Sequence, residues 1–165
     1  MKNFAYTGDA RSDSPTRTTE YPSAASPLIL IVEDHEDTRF LLRYLLEKRG
    51  YLVVETEDGE AGVRAAEALS PDLILMDRSL PRIGGISAMR RIRERAELRR
   101  VPVIFLSGHA HPADREAAFT AGCDDYLIKP FETEQLYGSL EKHLARHEPQ
   151  SAREIQSGVY ERSAG

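Results

Sequence analysis

Short apolar runs alternate with longer amphipathic segments through the middle of the chain. Apolar residues at helical spacing predict five helices, at 37–50, 57–70, 86–96, 113–121 and 132–146. Five nearly continuous aliphatic runs of strand length predict strands: "LILIV" (28–32), "YLVVE" (51–55), "DLILM" (72–76), "VPVIFL" (101–106) and "DYLI" (125–128). Strands that are apolar throughout are typical of sheets covered by helices on both faces.

The alternation predicts one domain, an open parallel α/β sheet with right-handed crossovers, over residues 27–147. Ligands of such sheets bind outside the carboxyl ends of the strands. The flanking segments 1–26 and 148–165 are rich in Ser, Thr, Pro and charged residues. Because such segments bury too little apolar surface to offset chain entropy, we expect them to be disordered tails.

Polar groups follow four of the five predicted strands. Strand one runs into Glu33 and Asp34, strand three into Asp77, strand four into Ser107 and strand five into Lys129. Each has a local explanation as a helix cap, a turn or a solvated side chain. Together, however, three carboxylates at one edge repel each other and require a divalent cation or protons. Oxygen ligands favour Mg²⁺ first and Mn²⁺ second.

Four stretches resemble, in order and spacing, the receiver domain of two-component response regulators, the CheY-like family. They are "LILIVEDHEDTR", "DLILMDRSLPRIGG", "VPVIFLSGHA" and "AGCDDYLIKPF", which together span roughly residues 27–146. The resemblance implies a flavodoxin-like, doubly wound sheet of five parallel strands in the order 2-1-3-4-5 with five helices. It also implies a phosphorelay signalling protein rather than an enzyme, with a sensor histidine kinase or a histidine phosphotransfer protein as the phosphoryl donor.

The resemblance assigns roles position by position. It implies Asp77 as the phosphorylated residue and Lys129 and Ser107 as the groups that assist it. The implied ligands of Mg²⁺ are Glu33, Asp34, Asp77 and the backbone carbonyl of Ser79. The implied switch residues are Ser107 and Tyr126, and Pro130 would follow a cis bond. Ser79 and His109 stand where the family tunes the attack of water, although His109 fits an ordinary loop histidine equally well.

Composition and charge narrow the function classes. The 165-residue chain carries a net charge of −5, which argues against a nucleic-acid-binding protein. No apolar run approaches the roughly 18 residues of a membrane span. The single cysteine, Cys123, excludes an intrachain disulfide and fits a cytoplasmic location. For Arg78 and Arg82, beside the site, solvated side chains are the preferred interpretation, and attraction of an anionic donor is the alternative. We expect the arginines of 89–100 to lie on a solvated, salt-bridged face.

The sequence also bears on how the protein passes on its signal and on two alternative functions. Only about twenty polar residues follow the last helix, which predicts a stand-alone regulator. Its signal would pass through residues 112–146 to another protein or to a second copy. A haloacid-dehalogenase-like phosphatase needs a second acid where Ser79 stands, and its metal-binding acids follow the lysine. A pseudo-receiver that has lost phosphorylation conflicts with the complete set of polar groups.

Overall fold

The computed structural model describes residues 26–145, so the predicted tails lie outside the described residues except for Ser26. The strands are β1 (Leu28–Val32), β2 (Leu52–Thr56), β3 (Leu73–Asp77), β4 (Val103–Ser107) and β5 (Asp125–Ile128). The helices are α1 (Glu36–Lys48), α2 (Gly59–Leu69), α3 (Gly85–Glu94), α4 (Pro112–Thr120) and α5 (Thr133–Leu144). Within this part of the chain, no helix is long and apolar enough to cross a membrane.

The five strands form one parallel sheet in the order β2-β1-β3-β4-β5. The predicted parallel α/β fold and its strand order are therefore confirmed. The order reverses at β1, because the chain moves outward to β2 and then returns past β1 to β3. The carboxyl ends of β1 and β3 consequently lie side by side, and this is where open α/β sheets form their binding crevice.

Helices cover both faces of the sheet, as the apolar strands predicted. One core layer lies under α2, α3 and α4, and its helical side chains are Val63, Ala66, Ala88, Met89, Ile92 and Ala118. The other lies under α1 and α5, and its helical side chains are Leu42, Leu46, Leu136 and Leu140. Every residue of β3 and β4 is buried. The two central strands that carry Asp77 and Ser107 are thus fixed from both sides.

The arginine-rich stretch differs from its prediction. The helix predicted to end at 96 ends at Glu94, and a 3₁₀ turn follows at Ala96–Leu98. The guanidinium of Arg93 explains the new turn, because it donates hydrogen bonds to the carbonyls of Leu98 (3.2 Å) and Val101 (2.6 Å). Arg93 is therefore partly buried rather than solvated. Arg91 and Arg95 do form the expected exposed ion pairs, with glutamates of α2.

Candidate functional site

Three acidic side chains meet at the carboxyl edge of the sheet. Glu33 and Asp34 follow β1, and Asp77 ends the neighbouring strand β3. One oxygen from each, together with a ring nitrogen of His35, lies within 4.8 Å of all the others. Glu33 and Asp77 are buried, whereas Asp34 and His35 are exposed. The strand order, rather than proximity in sequence, brings Asp77 to the acidic pair.

Asp77 is held by groups from two directions. Its Oδ1 accepts a hydrogen bond of 2.8 Å from the backbone N–H of Ser79, and its Oδ2 accepts one of 2.9 Å from Lys129 Nζ. The start of α3 also lies against its backbone, since a Cβ on Gly85 would sit 2.4 Å from the Asp77 carbonyl oxygen. The carboxylate is thus aimed at the open edge of the sheet while its backbone is confined.

Lys129 joins Asp77 to Glu33. Its Nζ donates to Glu33 Oε2 at 2.5 Å as well as to Asp77. Burial works against the charge of Lys129, but the hydrogen bonds to Glu33 and Asp77 outweigh it and raise the pKa of the ammonium. Burial also raises the pKa of Glu33 above its ordinary value, and the charge of Asp77 adds to this rise against the hydrogen bond from Lys129. The shift of Lys129 reflects the two carboxylates that face it, whereas the shift of Glu33 reflects mainly its burial.

The donor set fits a hard divalent cation. Three carboxylates face one ammonium, so the cluster carries an excess of negative charge that Lys129 alone does not balance. Carboxylate oxygens are the ligands that Mg²⁺ prefers. His35 Nδ1 lies 3.1 Å from Glu33 and 3.0 Å from Asp34. The hydrogen bond to Glu33 and the charge of Asp34 raise the pKa of His35, which again reports the local excess of negative charge.

The predicted switch residues form a chain of contacts beside the cleft. Ser107 is buried at the end of β4, and its Oγ accepts a hydrogen bond of 3.1 Å from the backbone N–H of His109. Tyr126 is also buried, and its hydroxyl donates to the carbonyl of His109 at 3.2 Å. The described state therefore already holds Tyr126 inside, attached to the loop that follows Ser107. The peptide bond between Lys129 and Pro130 is cis.

Four of the eight predicted site residues, Asp77, Ser79, His109 and Lys129, line one cleft of about 330 Å³. Its lining residues are His35, Thr38, Asp77, Ser79, Gly108, His109 and Lys129. His109 is exposed in this cleft and lies in the loop between β4 and α4. The roles of these residues, including that of the Ser79 carbonyl as a metal ligand, stay predictions.

Two contacts at the acidic pair were missed from the sequence. His35 contacts both acids. Its position directly after them, in "EDH", could have indicated this contact. Arg39 lies one helical turn further and donates from Nη1 to the carbonyls of Glu33 (2.9 Å) and Asp34 (3.0 Å). Arg39 thereby holds the backbone of the loop that presents both carboxylates.

One of the two arginines beside the site contradicts its prediction. Arg82 is mostly exposed and lies 3.5 Å from Asp58, as expected for a solvated side chain. Arg78, in contrast, is largely buried, and its Nη2 donates to Asp114 Oδ1 at 2.6 Å. The prediction that Arg78 is solvated was wrong, because the acid that pairs with it lies 36 residues further along the chain.

The family model of the response regulator receiver domain matches residues 29–141. The chain belongs to this family. The match covers more than half of the chain and both halves of the site just described. The resemblance inferred from four short stretches is therefore confirmed, and the family is one of signalling domains.

Relatives and solved structures agree with this assignment. The phosphate regulon transcriptional regulatory protein PhoB of Rhizobium meliloti is 40% identical over 125 residues, 75% of this chain and 55% of PhoB. The KDP operon regulatory protein KdpE of Escherichia coli is 41% identical over 124 residues, 75% of this chain and 54% of KdpE. This receiver chain thus spans about half the length of the curated relatives it matches.

A solved receiver domain adds a metal to the comparison. The receiver domain of a sensor histidine kinase from Pseudomonas aeruginosa PAO1 has a TM-score of 0.69 and 40% identity to this chain. The match covers 73% of this chain and 99% of that domain. That domain was solved with a magnesium ion coordinated in its active-site cleft. The acidic cluster at the sheet edge here offers carboxylate oxygens, which are ligands that Mg²⁺ prefers.

Proposed function

We propose that this receiver accepts a phosphoryl group on Asp77 with Mg²⁺ bound, and that it acts in a two-component phosphorelay. One observation carries the proposal. The carboxylate of Asp77 stands at the open edge of the sheet, within the acidic cluster and 2.9 Å from Lys129 Nζ. A nucleophile, a cation site and a fixed ammonium are the parts that phosphoryl transfer to a carboxylate requires.

Different residues of the chain serve different parts of the phosphoryl transfer. A carboxylate oxygen of Asp77 attacks the phosphorus, and the bond from phosphorus to the imidazole nitrogen of the donor breaks. That nitrogen leaves with the electron pair and takes up a proton. Lys129 neutralises charge on the transferred oxygens, and the Ser107 hydroxyl donates a hydrogen bond to one of them. Glu33, Asp34 and Asp77 would hold Mg²⁺, which supplies further charge neutralisation when bound.

The partners follow from the same chemistry. The donor would be a phosphohistidine of a sensor histidine kinase or of a histidine phosphotransfer protein, which is the partner that membership of the receiver family implies. We propose that the output is phosphorylation-dependent binding of a protein, or of a second copy, to the face formed by α4, β5 and α5. We also propose a cytoplasmic location, as predicted from the sequence, and cell fractionation would test it.

Nucleic-acid binding is not part of the proposal for these residues. The relatives named above are transcriptional regulators, but the match covers only about half of their length. Arg91 of α3 and Arg95, directly after α3, are paired with Glu60 and Glu67 of α2, so these two arginines are not free for a phosphate backbone. We propose that the described residues receive the signal and pass it to protein.

A phosphorylation assay tests the proposal. With Mg²⁺ and a small phosphodonor such as acetyl phosphate, the protein should gain one alkali-labile phosphoryl group, seen as a mass increase. Asp77→Asn should gain none, whereas Asp72→Asn, a change near the opposite end of β3, should behave as wild type. An equal label on Asp77→Asn would overturn the assignment of the nucleophile.

A further inference from the structure

The helix α4 is attached to the rest of the domain by very few side chains. Of its nine residues, only Asp114 and Ala118 are not exposed, and they lie four positions apart on one face. Ala118 packs in the core beside Cys123 and Tyr126. Because an alanine methyl buries little apolar area, the first turn of α4 depends on what holds Asp114.

Asp114 is held by the residue that follows the phosphoacceptor. Arg78 Nη2 donates to Asp114 Oδ1 at 2.6 Å, with the two side chains 24% and 29% exposed. The backbone of Arg78 is fixed, since its N–H donates to Leu106 at 3.0 Å and its carbonyl accepts from Gly85 at 3.0 Å. The ion pair therefore runs from a rigid point of the sheet, next to Asp77, to the start of α4.

One N–H donor of the Arg78 guanidinium is unused. Its Nε is buried and has no hydrogen-bond partner among the described residues. A buried N–H without an acceptor is unfavourable, and the guanidinium offers five N–H groups in one rigid fork. A new anion within reach of Nε would satisfy this N–H, and a turn of the rigid guanidinium toward that anion would draw Nη2 away from Asp114.

We propose that Arg78 is a positioning residue that ties α4 to the sheet in the unphosphorylated protein and releases Asp114 when Asp77 is phosphorylated. This inference rests on the proposed function of Asp77. Asp77 directly precedes Arg78 in the chain, and a phosphoryl group on it adds about −1.5 to −2 charges and three acceptor oxygens. The competition weakens the pair to Asp114, so the first turn of α4 and the preceding loop 108–111 gain freedom to move.

The test begins with the attachment of α4. Asp114→Asn removes the charge but keeps the shape, and Glu116→Gln removes an equal charge from an exposed site on the same helix. Without a phosphoryl group, amide hydrogen exchange at 112–120 should be about three- to tenfold faster in Asp114→Asn than in wild type. Glu116→Gln should exchange as wild type does.

The second measurement concerns the coupling to the phosphoryl site. Asp114→Asn should bind the phosphoryl mimic beryllofluoride, with Mg²⁺, about three- to tenfold more tightly than wild type, because it has no pair to break. Arg78→Gln tests the pair from the other side, and the double variant Arg78→Gln, Asp114→Asn should exchange no faster at α4 than either single variant. Additive effects would instead point to loss of the Asp114 charge at the helix N-terminus.

The outcomes separate this inference from the proposed function. Wild-type protein that binds no beryllofluoride would overturn both. Wild-type binding together with unchanged affinity in Asp114→Asn, or with additive single variants, would overturn only the role of the pair. Faster exchange and tighter binding confined to the variants of the pair would support it.

Discussion

Single residues hold the groups of the acidic edge in place, and each has a separable effect. Lys129 donates hydrogen bonds to the carboxylates of Glu33 and Asp77. Arg39 binds the backbone carbonyls of Glu33 and Asp34. Asp34 differs from Glu33 and Asp77 because it is exposed and accepts nothing from Lys129. Its carboxylate is the one most available to a cation from solvent.

The first prediction concerns the cation. Asp34→Asn should weaken Mg²⁺ binding by about tenfold or more, because one anionic oxygen ligand is lost and each 1.4 kcal/mol is about a factor of ten. Glu36→Gln, an exposed acid in the first turn of α1, is the matched control. Isothermal titration with MgCl₂ measures both. Equal affinities of wild type and Asp34→Asn would remove Asp34 from the site.

The sequence was informative about the site because the polar groups follow strands. A strand end can be located from an apolar run, and parallel strands deliver their ends to one edge. Asp34, Asp77 and Lys129 could be placed together on this basis. Arg78 could not, because nothing near it in the sequence shows that Asp114 lies against it. Pairing between distant loops depends on the packed helices, which local patterns do not describe.

At the scale of elements, close approach of helices to strands is set by glycine. Gly85 begins α3 directly against the backbone of Asp77, whereas a Cβ added to Gly138, within α5, would meet nothing within 4 Å. The same substitution to alanine therefore has opposite expected effects at the two positions. The contrast separates packing from intrinsic helix propensity.

Gly85→Ala should destabilise the fold by about 1–3 kcal/mol, because the new methyl meets a backbone oxygen at 2.4 Å and the ring of Phe105 at 2.9 Å. It should also slow phosphorylation, since the displaced atom belongs to Asp77. Gly138→Ala should instead stabilise by about 0.5–1 kcal/mol. Urea unfolding measures both, and a neutral Gly85→Ala would show that α3 can shift without cost.

A buried polar network joins β5 to α5 and gives a prediction for pH. Burial opposes ionisation of Asp125, but hydrogen bonds from Ser139 Oγ (2.7 Å) and the Tyr126 N–H (2.9 Å) outweigh it. They hold the pKa of Asp125 below its ordinary value of 3.8, with further help from His143 and Lys142 of α5. The ionised carboxylate therefore stabilises the fold above that value, and the contribution is lost as pH falls through the lowered pKa.

Asp125→Asn should consequently be less stable than wild type at pH 7, and the difference should shrink below about pH 4. Denaturant unfolding of both proteins at pH 7 and at pH 3 measures the change. Asp37→Asn, at an exposed acid of α1, should show little difference from wild type at either pH. A constant difference for Asp125→Asn would mean that the ionised carboxylate contributes nothing.

The order of elements was predictable and their ends were less so. All five strands and five helices lie where the apolar pattern placed them, to within a few residues. The end of α3 is the clearest exception, because Arg93 binds the carbonyls of residues beyond the helix. These hydrogen bonds are made by a long polar side chain, so the spacing of apolar residues does not predict where the helix ends.

At the scale of the whole molecule, large apolar side chains are exposed on both candidate docking faces. Phe40, Leu41 and Tyr44 of α1 are 60%, 53% and 53% exposed. Phe119 of α4 and Ile128 of β5 are 40% and 39% exposed, on the face proposed for output. Exposed large side chains in groups mark surfaces where partners bind. Single substitutions of these side chains therefore test which face carries the output.

The last prediction assigns the output face. Beryllofluoride with Mg²⁺ should change amide exchange at 107–145 and should strengthen binding of the downstream partner or of a second copy. A population shift limits this gain to the difference in affinity between the two states, typically about 1–3 kcal/mol. Sedimentation at several concentrations measures self-association. Phe119→Ser should reduce the induced binding, because it removes an apolar contact from α4, whereas Phe40→Ser should leave it intact. Loss of binding in Phe40→Ser alone, with exchange changes confined to 33–84, would show that the signal leaves by the face of α1.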